Sequence, residues 1–372
     1  MTDIYGNVPY SEAGLGYYQQ IYKPKYDNQE TIYKDMIQQV KDGVNLLNAN
    51  NPAIDGDLFY DGDINKWKKF GGSLLLRIGM RLSEVAPDLA KQTVADAVTI
   101  GVMSQPEDIC LLRHDGSGKN AFKNPLSFRY LDDNFIESDA VKIGKTFMDY
   151  LKKTKDPRIH VYCSLKDGNT EFDKQFGLPN GYDSHTIADA PSGSFVGLEN
   201  TSNFNINTIL RLDAPTIFLM PSETKLLLAE AVLRNWTNGN AEVLYKEAIT
   251  SSMKEQEIAY GTQGKITDEE IETYLAQNLL STANNTEKLQ IIGEQYWVAT
   301  FINGYESYAN WRRTGYPKLI PTNYSGSMSP GVIPTRLPYP TDEYSINRAN
   351  VDTANQQQGA DKVTTHIWWD ID

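Results

Sequence analysis

The amino-acid sequence predicts a mostly α-helical chain, a tetratricopeptide-like helical repeat array carrying long irregular loops. Three observations predict it. Residues 287–319 place Leu289, Ile292, Tyr296 and Ala299 on one stripe at helical spacing and Val298, Ile302, Tyr305 and Tyr308 on a second, with no proline before Pro317. A helix apolar on two faces has neighbours on two sides. The run Ala241-x3-Tyr245-x2-Ala248-Ile249 matches the second helix of a tetratricopeptide unit, where small residues let the paired helix approach. Capping signatures, Thr267 with Glu270 above all, punctuate the helical stretches.

Taken in order, residues 4–13 read as a short extended or turn segment broken by Gly6 and Pro9. Asp27 with Glu30 has capping-box spacing, and Ile32, Met36, Val40, Val44 and Leu47 continue as a helix to about residue 47. Residues 57–63 are acid-rich, but their spacing does not fit a calcium loop, so they read as a tight turn before a helix over 65–84. Trp67, Phe70, Leu74, Ile78 and Leu82 form the expected stripe of that helix. Gly71 and Gly72 in mid-helix cost about 1 kcal/mol each against alanine, so they imply close approach of another helix. Arg77 and Arg81 share a face and read as ties to carboxylates or carbonyls. A shorter helix follows over 89–98.

Between about 105 and 208 the helical period mostly lapses, apart from a helix expected over 135–153. Irregular stretches this long in a compact protein are usually functional. Helical order returns over 224–235, 241–254 and 268–277, and the tail from 320 reads as loop, with Trp368 and Trp369 docking into the body. One domain over 1–372 is expected: repeats about 27–100 and 210–319, a loop-rich ligand region about 105–208, and a tail 320–372.

No catalytic or metal motif emerges. Residues 116–120, GSGKN, lack the earlier glycine and the Ser or Thr of a phosphate loop. In 193–197, GSFVG, the serine stands one place early for a nucleophile elbow. The four histidines have no metal spacing. No cofactor is implied. A formal charge of −13 disfavours nucleic acid as partner. Cys110 and Cys163 could be buried thiols or a disulfide. Nowhere is there the run of ~20 apolar residues that a membrane helix needs. The first residues lack a basic start and an apolar run, which by itself implies a soluble cytoplasmic chain.

Several motifs, in order along nearly the whole chain, carry a family resemblance. They are IYGNVPYSEA at 4–13, DGDLFYDGDINKWKKFGGSLLLRIGMRL at 55–82, LLAEAVLRNW at 227–236 with AEVLYKEAITSSM at 241–253, NGYESYANWRRTGYPKL at 303–319, PTRLPYPTDEYSINRANV at 334–351 and IWWD at 367–370. Together they resemble the SusD/RagB family of Bacteroidetes surface lipoproteins. The resemblance implies a non-enzymatic protein that captures a nutrient, usually a glycan and in some members a peptide, for a SusC-like TonB-dependent outer-membrane transporter. It implies a cell-surface location through a lipid anchor, and a front portion of roughly a hundred residues, at ~34 per repeat, preceding this sequence. The alternative is a helical-repeat interaction scaffold with no small-molecule ligand.

The family's ligand residues are poorly marked by motif, so candidates rest on loop position. Phe128, Tyr130, Tyr182 and Phe195 are expected to stack on sugar rings, and Asn124, Arg129 and Asp132 to hydrogen-bond hydroxyls.

Overall fold

The computed structural model describes residues 1–48, 55–132, 141–280, 284–324 and 326–371. Fifteen α-helices dominate these described residues. They are α1 (Thr2–Tyr5), α2 (Gly16–Gln19), α3 (Gln29–Leu46), α4 (Ile64–Arg81), α5 (Pro87–Ile100), α6 (Pro125–Asp132), α7 (Lys145–Thr154), α8 (Ile159–Tyr162), α9 (Pro221–Leu233), α10 (Ala241–Tyr260), α11 (Asp268–Gln277), α12 (Asn285–Ala299), α13 (Gly304–Thr314), α14 (Thr341–Ile346) and α15 (Arg348–Gln358). Two small antiparallel ladders pair β1 (Cys110–Leu112) with β4 (Thr216–Leu219) and β2 (Cys163–Ser164) with β3 (Asn203–Phe204).

The helices pack as hairpins. α3, α4 and α5 lie side by side, as do α9 and α10, and α12 packs on α9. Asn28 starts α3 by accepting the Thr31 N–H, not the expected Asp27. Asp27 instead takes the backbone N–H groups of Tyr10 and Ser11. Asp63 starts α4 by accepting from Asn65 and Lys66. The acid-rich turn before it is a backbone device: Asp57 accepts from Phe59 N–H, Gly62 N–H and the Trp67 indole.

The fully buried face of α4 is not the predicted stripe. Trp67, Phe70, Leu74 and Ile78 are half-buried, whereas Leu75, Leu76 and Met80 are wholly enclosed and Leu82 joins them just beyond the helix. Each such side chain contributes roughly 1.5–3 kcal/mol by leaving water. The glycines explain the rotation. A Cβ on Gly71 would lie 2.3 Å from Val44 of α3, and one on Gly72 would lie 2.0 Å from the Gly101 carbonyl oxygen that ends α5. α4 is thus clasped on two sides, as the glycine pair implies.

Charged ties between distant segments run through the core. Arg77 donates to both Glu223 oxygens at 2.5 and 2.7 Å, joining α4 to α9. Arg81 donates to both Glu306 oxygens at 2.7 Å, joining α4 to α13, and the Tyr296 hydroxyl of α12 adds a third bond to Glu306 at 2.8 Å. Arg158, wholly buried, holds Asp156 at 2.6 Å, Gln295 of α12 at 2.8 Å and Ser252 of α10 at 2.9 Å. Each arginine finds hydrogen-bonded partners, the condition under which buried charge is tolerated.

Three sequence expectations need correction. The continuous helix over 287–319 is two helices, because Thr300 to Asn303 turn and Asn303 restarts α13 by accepting the Glu306 N–H. Tyr305, placed on an inward stripe, is 76% exposed as a consequence. The tail expected as loop holds α14 and α15, with Val351 and Ala354 buried against Tyr339. Of the helix expected over 135–153, residues 135–140 lie outside the described residues, and the observed α7 begins at Lys145. Trp369 is fully buried, as expected of a docked tryptophan, and Cys110 and Cys163 are separate buried thiols.

Candidate ligand-binding site

α7 buries Phe147, Met148 and Leu151 in the main core, and the irregular middle of the chain runs beside its first turn. The Lys145 N–H donates to the Leu178 carbonyl at 2.7 Å, and the Leu178 N–H donates to the Ile143 carbonyl at 2.7 Å, so residues 178–182 are strung beside the start of the helix. Gly181 has φ +88°, and a Cβ there would meet Thr322 at 3.0 Å. Only glycine lets this loop run so close to the segment after Pro317 while holding that backbone angle. Asp183 then caps the turn, accepting from the His185 and Thr186 N–H groups at 2.8 and 2.9 Å. The Tyr324 hydroxyl donates to its other oxygen at 2.6 Å. The Tyr324 bond and the backbone N–H groups hold the Asp183 carboxyl well below the usual carboxylate range.

These contacts enclose a hollow of about 510 Å³. Its walls include Lys145 and Asp149 of α7, Asn180 and Tyr182 of the loop, and Thr322 and Asn323 opposite. Lys145 and Asp149 pair at 2.6 Å across one helical turn. The hollow therefore offers a half-buried ring beside amide, hydroxyl and charged groups, which is the chemistry a sugar needs: an apolar ring face flanked by donors and acceptors.

A second hollow of about 340 Å³ lies along the same segment, where Pro317 and Leu319 replace Ile320 and Pro321 as lining and Phe147 is the residue of α7 in its wall. It is aromatic: Phe147, Trp297, Phe301, Tyr308 and Trp311 line it. Phe147 stacks on Phe301 with centroids 4.2 Å apart and planes at 3°, and Tyr308 stacks on Trp311 at 6.1 Å and 16°. The break after α12 opens this hollow, since Gly304 and Ser307 form part of its wall.

The sequence candidates fall in three places. Tyr182 lines the first hollow, and Phe195, half-buried, follows Ser194, which also lines it. Phe128, Arg129 and Tyr130 sit on α6, not in an aperiodic loop, and line neither hollow. Tyr130 packs edge-on against Phe204 at 5.6 Å, and burial raises its hydroxyl pKa. Phe128 is half-buried with the Lys123 ammonium 5.8 Å from its ring centre, and Arg129 is exposed. Asn124 is buried and caps α6: its amide donates to the Ala214 carbonyl at 2.8 Å, and its oxygen accepts from Leu126 and Ser127. That leaves it little capacity for a ligand. Asp132 is the last residue of α6, and its side chain lies outside the described residues. The aromatic hollow was missed because its rings lie at helical spacing and read as core. The Asn303-Gly304 pair, a turn signal inside that apparent helix, was the available clue.

The fold and these hollows can be set against known proteins. A family model described as "SusD-like_2: Starch-binding associating with outer membrane" matches residues 1–340. A search of curated proteins finds no match. Among solved structures, one titled a chitin-binding protein is 32% identical with a TM-score of 0.84, covering 100% of this chain and 78% of its own. A structure titled Bacteroidetes AC2a SusD-like is 27% identical with a TM-score of 0.84, covering 100% and 80%. A chitin-binding SusD homolog from Flavobacterium johnsoniae is 25% identical with a TM-score of 0.82, covering 100% and 78%. The helical hairpins, the ordered motifs and the family match across 1–340 agree, and the chain belongs to the SusD-like family.

Proposed function

We propose that this chain is a non-catalytic glycan-binding protein that holds an oligosaccharide at the Tyr182 hollow, with the neighbouring aromatic hollow extending the contact. The observation that carries the reading is the placement of Tyr182 among Asn180, Asn323, Thr322, Lys145 and Asp149 in one surface depression. Two structural relatives titled as chitin-binding make β-linked amino-sugar oligomers the first ligands to try, and the family description adds starch fragments. In this reading the body is scaffold and the middle loops are the receptor. The captured glycan passes to a SusC-like TonB-dependent transporter at the outer membrane.

Isothermal titration of the purified chain with chitin and starch oligosaccharides tests the proposal. Saturable binding of one class, with no release of reducing ends on prolonged incubation, is the expected result. Absence of heat with every oligosaccharide from a chain that melts cooperatively would sink the glycan assignment. Sustained release of reducing ends would sink the non-catalytic one.

A further inference from the structure

Residues 8–27 leave the helical body and return to it at one point. Val8 and Asp27 form an antiparallel bridge, and the Asp27 carboxylate accepts the Tyr10 and Ser11 N–H groups at 3.2 and 2.8 Å. Inside that closure, Glu12 accepts the Lys25 N–H at 2.9 Å. From the body, Asn347 and Asn350 donate to the carbonyls of Pro24 and Lys23 at 2.8 and 3.1 Å. A segment closed at its base in this way is a compact surface loop of the kind that often carries function.

Its tip is aromatic and wet. Tyr17 is 90% exposed, Tyr18 81% and Tyr22 73%, with Leu15 and Ile21 half-buried beside them. Tyr17 and Tyr18 meet edge to face at 5.2 Å and 88°. Those two rings do not share a plane, so they are ill suited to lie together under a sugar chain. Nor do the rings contribute to either hollow described above. Large rings held in water on a fastened loop mark a contact surface.

Charge indicates what they contact. The chain carries −13 overall, yet residues 8–27 are charge-balanced, with Glu12 and Asp27 against Lys23 and Lys25, and Asp27 is engaged at the loop base by the Tyr10 and Ser11 N–H groups. Lys25 lies 3.9 Å from Glu12, whereas Lys23 is exposed and has no carboxylate partner among the described residues. Tyrosine rings settle at headgroup depth, where the ring is shielded and the hydroxyl stays hydrated, and lysine is drawn to anionic headgroups. A tyrosine cluster could also anchor in a protein pocket. Exposed Lys23 beside the rings of a charge-balanced loop on an acidic chain, in a family described as associating with the outer membrane, favours lipid.

We infer that the tip of this loop rests in the headgroup layer of an anionic lipid surface and helps orient the body above the membrane. The inference goes beyond the glycan reading and uses a different face of the molecule. Contact through one short loop is weak and reversible, comparable to a single lipid signal.

Co-sedimentation with large vesicles tests it, comparing phosphatidylcholine alone with vesicles in which about one quarter of the lipid is phosphatidylglycerol. The expected result is saturable binding to the anionic vesicles that falls with added salt. Lys23→Ala should weaken it about fivefold, the share of one ammonium near a charged surface. Tyr17→Ser/Tyr18→Ser/Tyr22→Ser should bring it to background while keeping the wild-type melting temperature and glycan titration. Absence of vesicle binding in the wild-type chain, or equal binding by the triple variant, overturns the inference. So does loss of glycan binding in the triple variant with vesicle binding intact. Tyr182→Ala, by contrast, should leave vesicle binding unchanged, so the two readings can fail separately.

Discussion

Arg313 of α13 grips Glu230 of α9 with two hydrogen bonds, at 2.6 and 2.7 Å, and both side chains are almost fully buried. Burial alone would raise the Glu230 pKa, but Arg313 and then Arg234 outweigh it and hold the carboxyl below its ordinary value. Removing one partner of such a pair leaves a buried charge uncompensated, at about 3–5 kcal/mol. Arg234, 2.9 Å from Glu230, softens the loss, so Arg313→Ala should cost about 3 kcal/mol in a denaturant melt. The double change Arg313→Met/Glu230→Leu should cost less than the single one. A single variant within ~0.5 kcal/mol of wild type would show that the pair contributes nothing net.

Arg312, the next residue, is held differently. Its guanidinium donates to the carbonyls of Thr335 at 2.8 Å and Asp3 at 2.6 Å, and it lies between the Tyr308 and Trp369 rings at 4.1 and 4.6 Å. Arg312→Ala should lower the melting temperature by unfastening the tail and the first helix together. Arg312→Lys should recover little, because an ammonium cannot reproduce the planar fork between two rings. Full rescue by lysine would show that charge alone matters there.

Gly72→Ala offers a test of close packing. The new Cβ would stand 2.0 Å from the Gly101 carbonyl oxygen, a backbone atom that cannot rotate away. Alanine gains about 1 kcal/mol of helix propensity, but overpacking against backbone costs about 1–3 kcal/mol. Net destabilisation is expected, and a rise in melting temperature would show that α4 and α5 part easily.

Glu255 gives stability a dependence on pH. It is fully buried, and burial pushes its pKa up to about 7 although Ser222 donates to it through both backbone and hydroxyl. The folded chain therefore holds this proton more tightly than the unfolded chain. Its contribution is fully present below the ordinary glutamate value and is lost as pH rises through about 7. The melting temperature of wild type relative to Glu255→Gln should fall across that window. A difference that stays constant with pH would assign the proton elsewhere.

At the proposed receptor face, Tyr182→Ala should weaken oligosaccharide binding about tenfold or more, while leaving the helical circular dichroism intact, if one ring contributes ~1.5 kcal/mol. Trp311→Ala should weaken it less if the aromatic hollow extends the site. Tyr130→Ala should act on stability instead, since that ring packs on Phe204. Unchanged affinity in both Tyr182→Ala and Trp311→Ala would remove this face from consideration.

Much of the fold was legible because helices announce themselves locally. The repeat signature at residues 241–249, the capping box at Thr267 and the close approach at Gly71 and Gly72 all appear in the structure as expected. Errors arose where a short local signal competed with a longer period. Asn303-Gly304 broke a helix whose apolar spacing continued through it, and helical propensity in residues 125–132 turned supposed loop candidates into α6. Asn124 illustrates the limit on sites: a polar residue in a loop looks free in sequence, and only its neighbours show it spent on a cap.

The sequence by itself determined most helices of the body, the repeat-like pairing and the family, because each rests on spacings within a few residues or on motifs in fixed order. Tertiary structure decided which side chains meet. Arg77 finds Glu223 across 146 positions, and Tyr182 shares a hollow with Asn323 only because Gly181 lets two loops touch. Such meetings depend on how the helices stack and where the loops cross them, which no local period encodes.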